Sequence, residues 1–413
     1  MNQKKLSVQQ NTLLNSFGSL FYLGCQWLIT VLVVRLGSVE DGGNLSLAMS
    51  LTNMFFTLAT FGIRDFQVSD YQGKYTPSQY VTTRLLTCTG SSLICCTTVL
   101  LNRHYTGQQM ACILFYMLFR ISEALVDVFQ AMEQKAERMD FNCISFLLRG
   151  ILLLGGFSLL LRITGSLVLA IIGIAVTSFC VVLGFDWPTC HKLSGFRLEF
   201  SLSATRRLLW ECAPLMCNSF LTAAIVSIPR STLESLWGSY WMGIYGSVAT
   251  PATIVQSAAM WLYTPAILVF TRHYMEGRKK DFYALYRRIW LILGGVFVLV
   301  FAGAALLGRW GLGLLFNDEV VAHADLLLPV LGTTLLIAIS YFLGAMLTIT
   351  RQLKVILAAN AVAAVLAVSL SRPIIQACQM NGVNYVIYIA MGANILILFT
   401  ALTRQLNRHF RNA

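Results

Sequence analysis

Apolar runs of about 20 residues recur along the whole chain, separated by short stretches that hold most of the charge. At about 1.5 Å per residue, such runs match the roughly 30 Å hydrocarbon core of a bilayer. The pattern predicts about twelve membrane-spanning helices, at roughly 12–34, 44–63, 81–101, 108–131, 141–161, 165–185, 208–228, 241–270, 289–308, 325–349, 355–370 and 384–403. The eighth is long for one crossing. Pro251 and Pro265 predict that it kinks, or that its cytoplasmic end projects from the bilayer. The outer loops are all short, the longest at about 309–324, so none has room for a folded domain. The largest polar segment near mid-chain, 186–207, divides six spans from six. It predicts an all-α integral membrane protein with an N-terminal six-helix bundle over 1–195 and a C-terminal one over 196–413.

Basic residues test this layout, because cytoplasmic loops carry an excess of Lys and Arg. With the N-terminus placed inside, most of the 30 Lys and Arg residues fall on the cytoplasmic side. The outer loops hold only Arg35, Arg103, Arg162, Arg230, Arg309 and Arg372. The alternation predicts that both termini are cytoplasmic. The run after Lys4 and Lys5 is too long for a signal-peptide core and ends at Arg35, not at a small-residue cleavage site.

Composition narrows the class. Hydrophobic residues make up 57% of the 413 and charged residues 12%, against roughly 45–50% and about 25% in soluble domains. This excludes a soluble enzyme, a disordered chain and a nucleic-acid-binding module, despite a net charge of +12. The eleven cysteines lie mostly within apolar runs and show no zinc-like spacing. No histidine sits well inside a span, and neither a metal-ligand set nor a phosphate-binding glycine loop is present. No cofactor is expected.

Chemistry enters through polar stripes inside the spans. In the fourth span Gln109, Tyr116, Arg120, Glu123, Asp127 and Gln130 share one helical face. A charge at the bilayer centre costs about 2.5–3.5 kcal/mol on insertion scales, so this face should meet protein or a water-filled cavity. Ser46, Ser50, Asn53, Thr57, Thr60 and Arg64 form a second stripe, and Asn15, Ser19, Tyr22, Gln26 and Thr30 a third. In the other half, Glu211, Asn218 and Thr222 share a face of the seventh span, and Thr250, Thr253, Ser257, Trp261 and Thr264 one of the eighth. Small hydroxyl residues at this spacing also serve plain helix packing, and Arg120, Glu123 and Asp127 also fit a self-neutralised structural cluster. Arg84 and Glu211, near cytoplasmic ends, can snorkel to the interface. Arg149 sits deeper, which favours a cavity role.

Arg35-Leu36-Gly37, Gly43, and a span ending Phe61-Gly62-Ile63-Arg64 resemble the start of bacterial polysaccharide flippases of the multidrug/oligosaccharidyl-lipid/polysaccharide exporter superfamily. Further similarity lies in Gly243-Ile244-Tyr245-Gly246, the long span with Pro265, the basic loop Arg272 to Arg288, and Gly311 to Phe316 followed by Asn317-Asp318-Glu319. The resemblance implies two six-helix bundles around a central cavity. It implies alternating-access translocation of a polyprenyl-pyrophosphate-linked oligosaccharide across the bacterial cytoplasmic membrane, for cell-surface polysaccharides such as O-antigen or exopolysaccharide. The partners would be that glycan, membrane lipids and glycan-assembly machinery.

Arginine binds phosphate oxygens in bidentate fashion and stays charged when desolvated. The expected substrate contacts are therefore Arg120, Arg149 and Arg64, with Asn53, Thr57 and Asn218 toward sugar. Coupling to Na⁺, H⁺ or membrane potential would use Glu123, Asp127 or Glu211. Two rivals stand beside this reading. An ion-coupled multidrug or cation exporter of the same superfamily would exploit Glu123, Asp127, Tyr116 and Trp261. An intramembrane enzyme acting on lipid-linked sugars lacks a catalytic constellation in this sequence.

Overall fold

The computed structural model describes residues 7–70, 72–263 and 266–412, without the side chains of 8, 257–262 and 412. Lys4, Lys5, Thr264 and Pro265, and the side chains of Ser257 and Trp261, therefore lie outside the described residues. Nearly all described residues are helical and none is in a strand. They group into two compact units, Met1–Ala223 and Ala224–Ala413.

The first unit comprises α1 (Val8–Leu36), α2 (Val39–Thr60), α3 (Ile63–Ser69), α4 (Pro77–Leu101), α5 (Gly107–Lys135), α6 (Met139–Thr164), α7 (Leu167–Val181), a π-helical turn (Val182–Asp186), α8 (Trp187–Ser194) and the first part of α9 (Leu202–Trp237). The starts are written locally. Ser7 with Gln10, Thr76 with Gln79 and Thr106 with Gln109 form reciprocal capping boxes, each satisfying two otherwise orphan backbone donors. Phe61 and Gly62 both take left-handed backbone, at φ 51° and 67°, and this break separates α2 from α3. It turns the chain so that Arg64 starts a new helix and does not extend the α2 stripe. α5 is the hub, packed against α2, α4 and α7, while α1 packs on α6.

The second unit comprises the remainder of α9, α10 (Ser239–Tyr263), α11 (Ala266–Met275), α12 (Lys279–Leu315), α13 (Asp318–Val321), a 3₁₀ turn (Ala324–Leu326), α14 (Leu327–Ile349) and α15 (Leu353–Asn412). Its core gathers Phe270, Phe282, Phe342, Leu343, Leu347 and Leu402. α15 is broken at Gln379 (φ 50°, ψ −131°), giving two consecutive long segments.

Nine described helices are long and apolar enough to cross a membrane. Leu93, Val298, Leu299, Leu306 and Val365 point outward, each more than 60% exposed. Outward apolar side chains on helices of this length suit a bilayer. The helices outrun the apolar runs from which they were predicted. Arg230 and Arg372, expected in outer loops, lie inside α9 and α15. The basic stretch 272–288, expected as a loop, is the end of α11, a short turn and the start of α12; Glu276 pairs with both Arg272 and Arg278 there and offsets their repulsion.

Candidate functional site

The α5 stripe faces the interior of the first unit and collects ionisable groups from four other helices. Around Glu123, Tyr22 Oη donates at 2.7 Å and Gln26 Nε2 at 2.9 Å, both from α1. Arg120 Nη1 donates to Glu123 Oε2 at 2.5 Å, and Arg149 Nη2, from α6, lies 3.5 Å from Oε1. Arg149 also donates to Tyr22 Oη at 3.1 Å and to Ser178 Oγ at 3.4 Å. One turn along α5, Asp127 accepts from Arg84 Nη2 of α4 at 2.8 Å and from Arg64 Nη1 of α3 at 3.2 Å. Arg64 also reaches Gln130 at 3.1 Å.

Four guanidinium groups thus surround two carboxylates, and the cluster carries net positive charge. Its members differ in access. The side chains of Arg84 and Arg149 are 0% and 2% exposed, whereas those of Arg120 and Arg64 are 17% and 31% exposed. A cavity of about 220 Å³ opens here, lined by Arg120, Arg149, Glu123 and Asp127 with Tyr22 and Gln26, among others. Arg120 crosses it, stacked 4.0 Å from the Phe56 ring centroid and donating Nη2 to Asn53 Oδ1 at 3.0 Å. Its Nε has no partner although the atom is buried. A guanidinium offers five N–H donors in a rigid fork, so Arg120 retains capacity for an anion's oxygens.

The sequence-predicted residues separate accordingly. Arg120, Arg149, Arg64, Asn53, Glu123 and Asp127 come together. Thr57 turns its hydroxyl back to the Met54 carbonyl at 2.7 Å, and neither it nor Asn218, half-buried on α9, lines the cavity. Glu211 pairs with Lys74 at 2.6 Å, apart from the other two carboxylates. Arg84 does not snorkel: fully buried, it donates to the Ala59 carbonyl at 2.9 Å as well as to Asp127. Its role was legible in part, since Arg84, Thr87 and Ser91 recur at helical spacing, and all three bond α2 carbonyls. Tyr22 and Gln26 belonged to a recognised stripe, but nothing in it marked them as the clamp on Glu123.

Below this cluster the loop after α3 is tied down by Asp70. Its carboxylate accepts from Lys74 N at 2.9 Å, Tyr75 N at 3.1 Å and Tyr80 Oη at 2.9 Å. Burial works against ionisation, but these three donors outweigh it and hold the Asp70 carboxyl below the usual carboxylate range.

Residues 8–272 match the polysaccharide biosynthesis protein family. The capsular polysaccharide biosynthesis protein CapF of Staphylococcus aureus is 25% identical over 341 residues, spanning 80% of this chain and 83% of CapF. Among solved structures, the lipid II flippase MurJ in an inward closed conformation aligns with a TM-score of 0.74 at 11% identity, covering 97% of this chain and 90% of that one. An inward-facing multidrug resistance transporter of the MATE family, MOP superfamily, aligns with a TM-score of 0.71, also at 11% identity, over 93% and 94% of the two chains. At such identities the likeness is one of fold: an all-helical transporter architecture.

Proposed function

The chain belongs to the polysaccharide biosynthesis protein family, and on that premise we propose that it is a flippase for a polyprenyl-pyrophosphate-linked oligosaccharide. It would work by alternating access in the bacterial cytoplasmic membrane, with twelve crossings and both termini inside. The single observation that carries this reading is the arginine-rich cavity of the first unit. A pyrophosphate concentrates negative charge, and carrying it through hydrocarbon unaided is prohibitive. Arg120 lines the cavity and its two Nη atoms carry N–H groups beyond those given to Glu123 and Asn53, and Arg149 and Arg64 add positive potential behind it. Asn53, already bound to Arg120, is positioned to bridge toward sugar hydroxyls. The polyprenyl tail would stay in lipid throughout.

The fold likeness to multidrug transporters keeps a cation exporter as the second reading. The charge balance speaks against it, because Glu123 and Asp127 are each held by two arginines. A cation entering the cavity would meet net repulsion.

The test is translocation of a labelled polyprenyl-pyrophosphate oligosaccharide in proteoliposomes, comparing the native protein with Arg120→Ala. The expected result is protein-dependent movement that the folded variant loses. Movement unchanged in Arg120→Ala would make Arg120 structural. Export of organic cations without glycan movement would replace the flippase reading with its rival.

A further inference from the structure

A second pair of carboxylates is buried in the first unit, and neither lines the arginine cavity. Glu133, in the last turn of α5, is 1% exposed, and Asp186, at the end of the π-helical turn, is 2% exposed. Among the described residues neither forms an ion pair. The flanking cations are engaged elsewhere: Arg138 holds Asp140 through bonds of 2.9 and 2.7 Å, Arg149 holds Glu123 and Tyr22, and Lys135 donates to the Asp70 carbonyl at 2.8 Å. Of the other titratable groups on the surrounding elements, the Cys190 thiol donates to Glu133 Oε1 at 3.5 Å, and His191 Nδ1 lies 2.8 Å from the Phe196 carbonyl. The backbone carbonyl of Glu137 is bound by Asn11.

Two buried oxygens on the elements around the pair have no hydrogen-bond partner: Asp186 Oδ2 and Asn142 Oδ1. Asn142 and Ser145 are 0% exposed. With Arg149 they recur at spacings of three and four on α6, and both Ser145 and Arg149 interact with Asp186. The π-helical turn matters here. Its wider winding shifts the register between α7 and α8, and such turns recur at functional sites.

An ionised carboxylate buried without an ion pair is so unfavourable that the group takes up a proton instead, and Asp186 lies near enough to Glu133 for its charge to act on it, so the two resist joint ionisation. Protonation also converts an acceptor into an O–H donor. We infer that Glu133 and Asp186 form a proton-binding site that holds at least one exchangeable proton at neutral pH. Glu123 and Asp127 are each paired with two guanidinium groups, whereas, among the described residues, neither member of this pair forms an ion pair. If the protein is a flippase, as proposed above, this pair rather than the cavity carboxylates is where a proton gradient would act.

The test needs no transport substrate, so its failure leaves the flippase reading standing. Infrared difference spectra of the purified protein are recorded across a pH titration, for the native chain, Glu133→Gln, Asp186→Asn and the double variant. Both substitutions preserve shape, and unchanged thermal melting verifies folding. The expected result is a protonated-carboxyl stretch at neutral pH that is lost in at least one single variant and in the double variant. Trp187, edge-on to Phe129 at 5.8 Å and Phe196 at 5.1 Å, should report the same titration by fluorescence. Absence of the band in the native protein, or its persistence in the double variant, overturns the inference. Loss of the band on adding Na⁺ at constant pH would also overturn it, by making the site a metal-cation site.

Discussion

Arg149→Ala and Arg120→Ala should separate scaffold from ligand-binding surface within the same cluster. Arg149 is 2% exposed, and its guanidinium holds Tyr22, Glu123 and Ser178 at 3.1, 3.5 and 3.4 Å. Removing one partner of a buried charge pair costs about 3–5 kcal/mol. Glu123 would keep Arg120 and two neutral donors, which places the expected loss near the lower end, about 3 kcal/mol. Arg120 is 17% exposed and borders the cavity, so water can replace its contacts, and Glu123 would keep Arg149, Tyr22 and Gln26. Its loss should cost about 1 kcal/mol, as for a partly solvated pair. The assay is thermal unfolding of both variants in one detergent at one scan rate, read as a rank order because large membrane proteins unfold irreversibly. Arg149→Ala should melt well below the native protein and Arg120→Ala close to it. Arg120→Lys should restore only part of any transport lost in Arg120→Ala, since it keeps the charge but not the fork. Equal destabilisation of the two alanine variants, or a larger loss in Arg120→Ala, would refute the division of roles.

Asp70→Asn should cost about 1.5–3 kcal/mol at neutral pH, the range for hydrogen bonds to a charged group. Because the folded carboxyl titrates below its unfolded value of about 3.9, that stability is present above this value and disappears as the pH falls through the folded one. The gap between native and variant melting should therefore close on acidification below about pH 4, and a gap that persists there would contradict the assignment. Glu211→Ala removes a half-exposed pair with Lys74 and should cost under about 1 kcal/mol; abolished gradient-dependent transport would instead make Glu211 functional. In the second unit, Gly382→Ala would place a Cβ 2.6 Å from the Ile375 Cα and 2.9 Å from the Ile374 carbonyl oxygen, both backbone atoms. It should destabilise by about 1–3 kcal/mol, whereas Gly392→Ala, which meets nothing within 4 Å, should melt like the native protein.

Local pattern in the chain suffices for the class of structure and for where its polar faces lie. Period and length are local properties: 3.6 residues per turn put Arg120, Glu123 and Asp127 on one face of α5 whatever surrounds it. The cost of charge in hydrocarbon then required that face to turn inward. Which arginine meets which carboxylate depends on the packing of helices distant in the chain. Arg84 lies 43 residues before Asp127 and Arg64 lies 63 before it, and such pairings depend on how α2, α3 and α4 pack on α5. The same holds for Glu211, which shares its helix with Asn218 but finds Lys74 across 137 residues. The left-handed pair Phe61–Gly62 and the π-helical turn before α8 were beyond reach for a related reason. Each changes the direction in which a side chain points by a few backbone angles, and hydropathy averaged over a span is blind to direction.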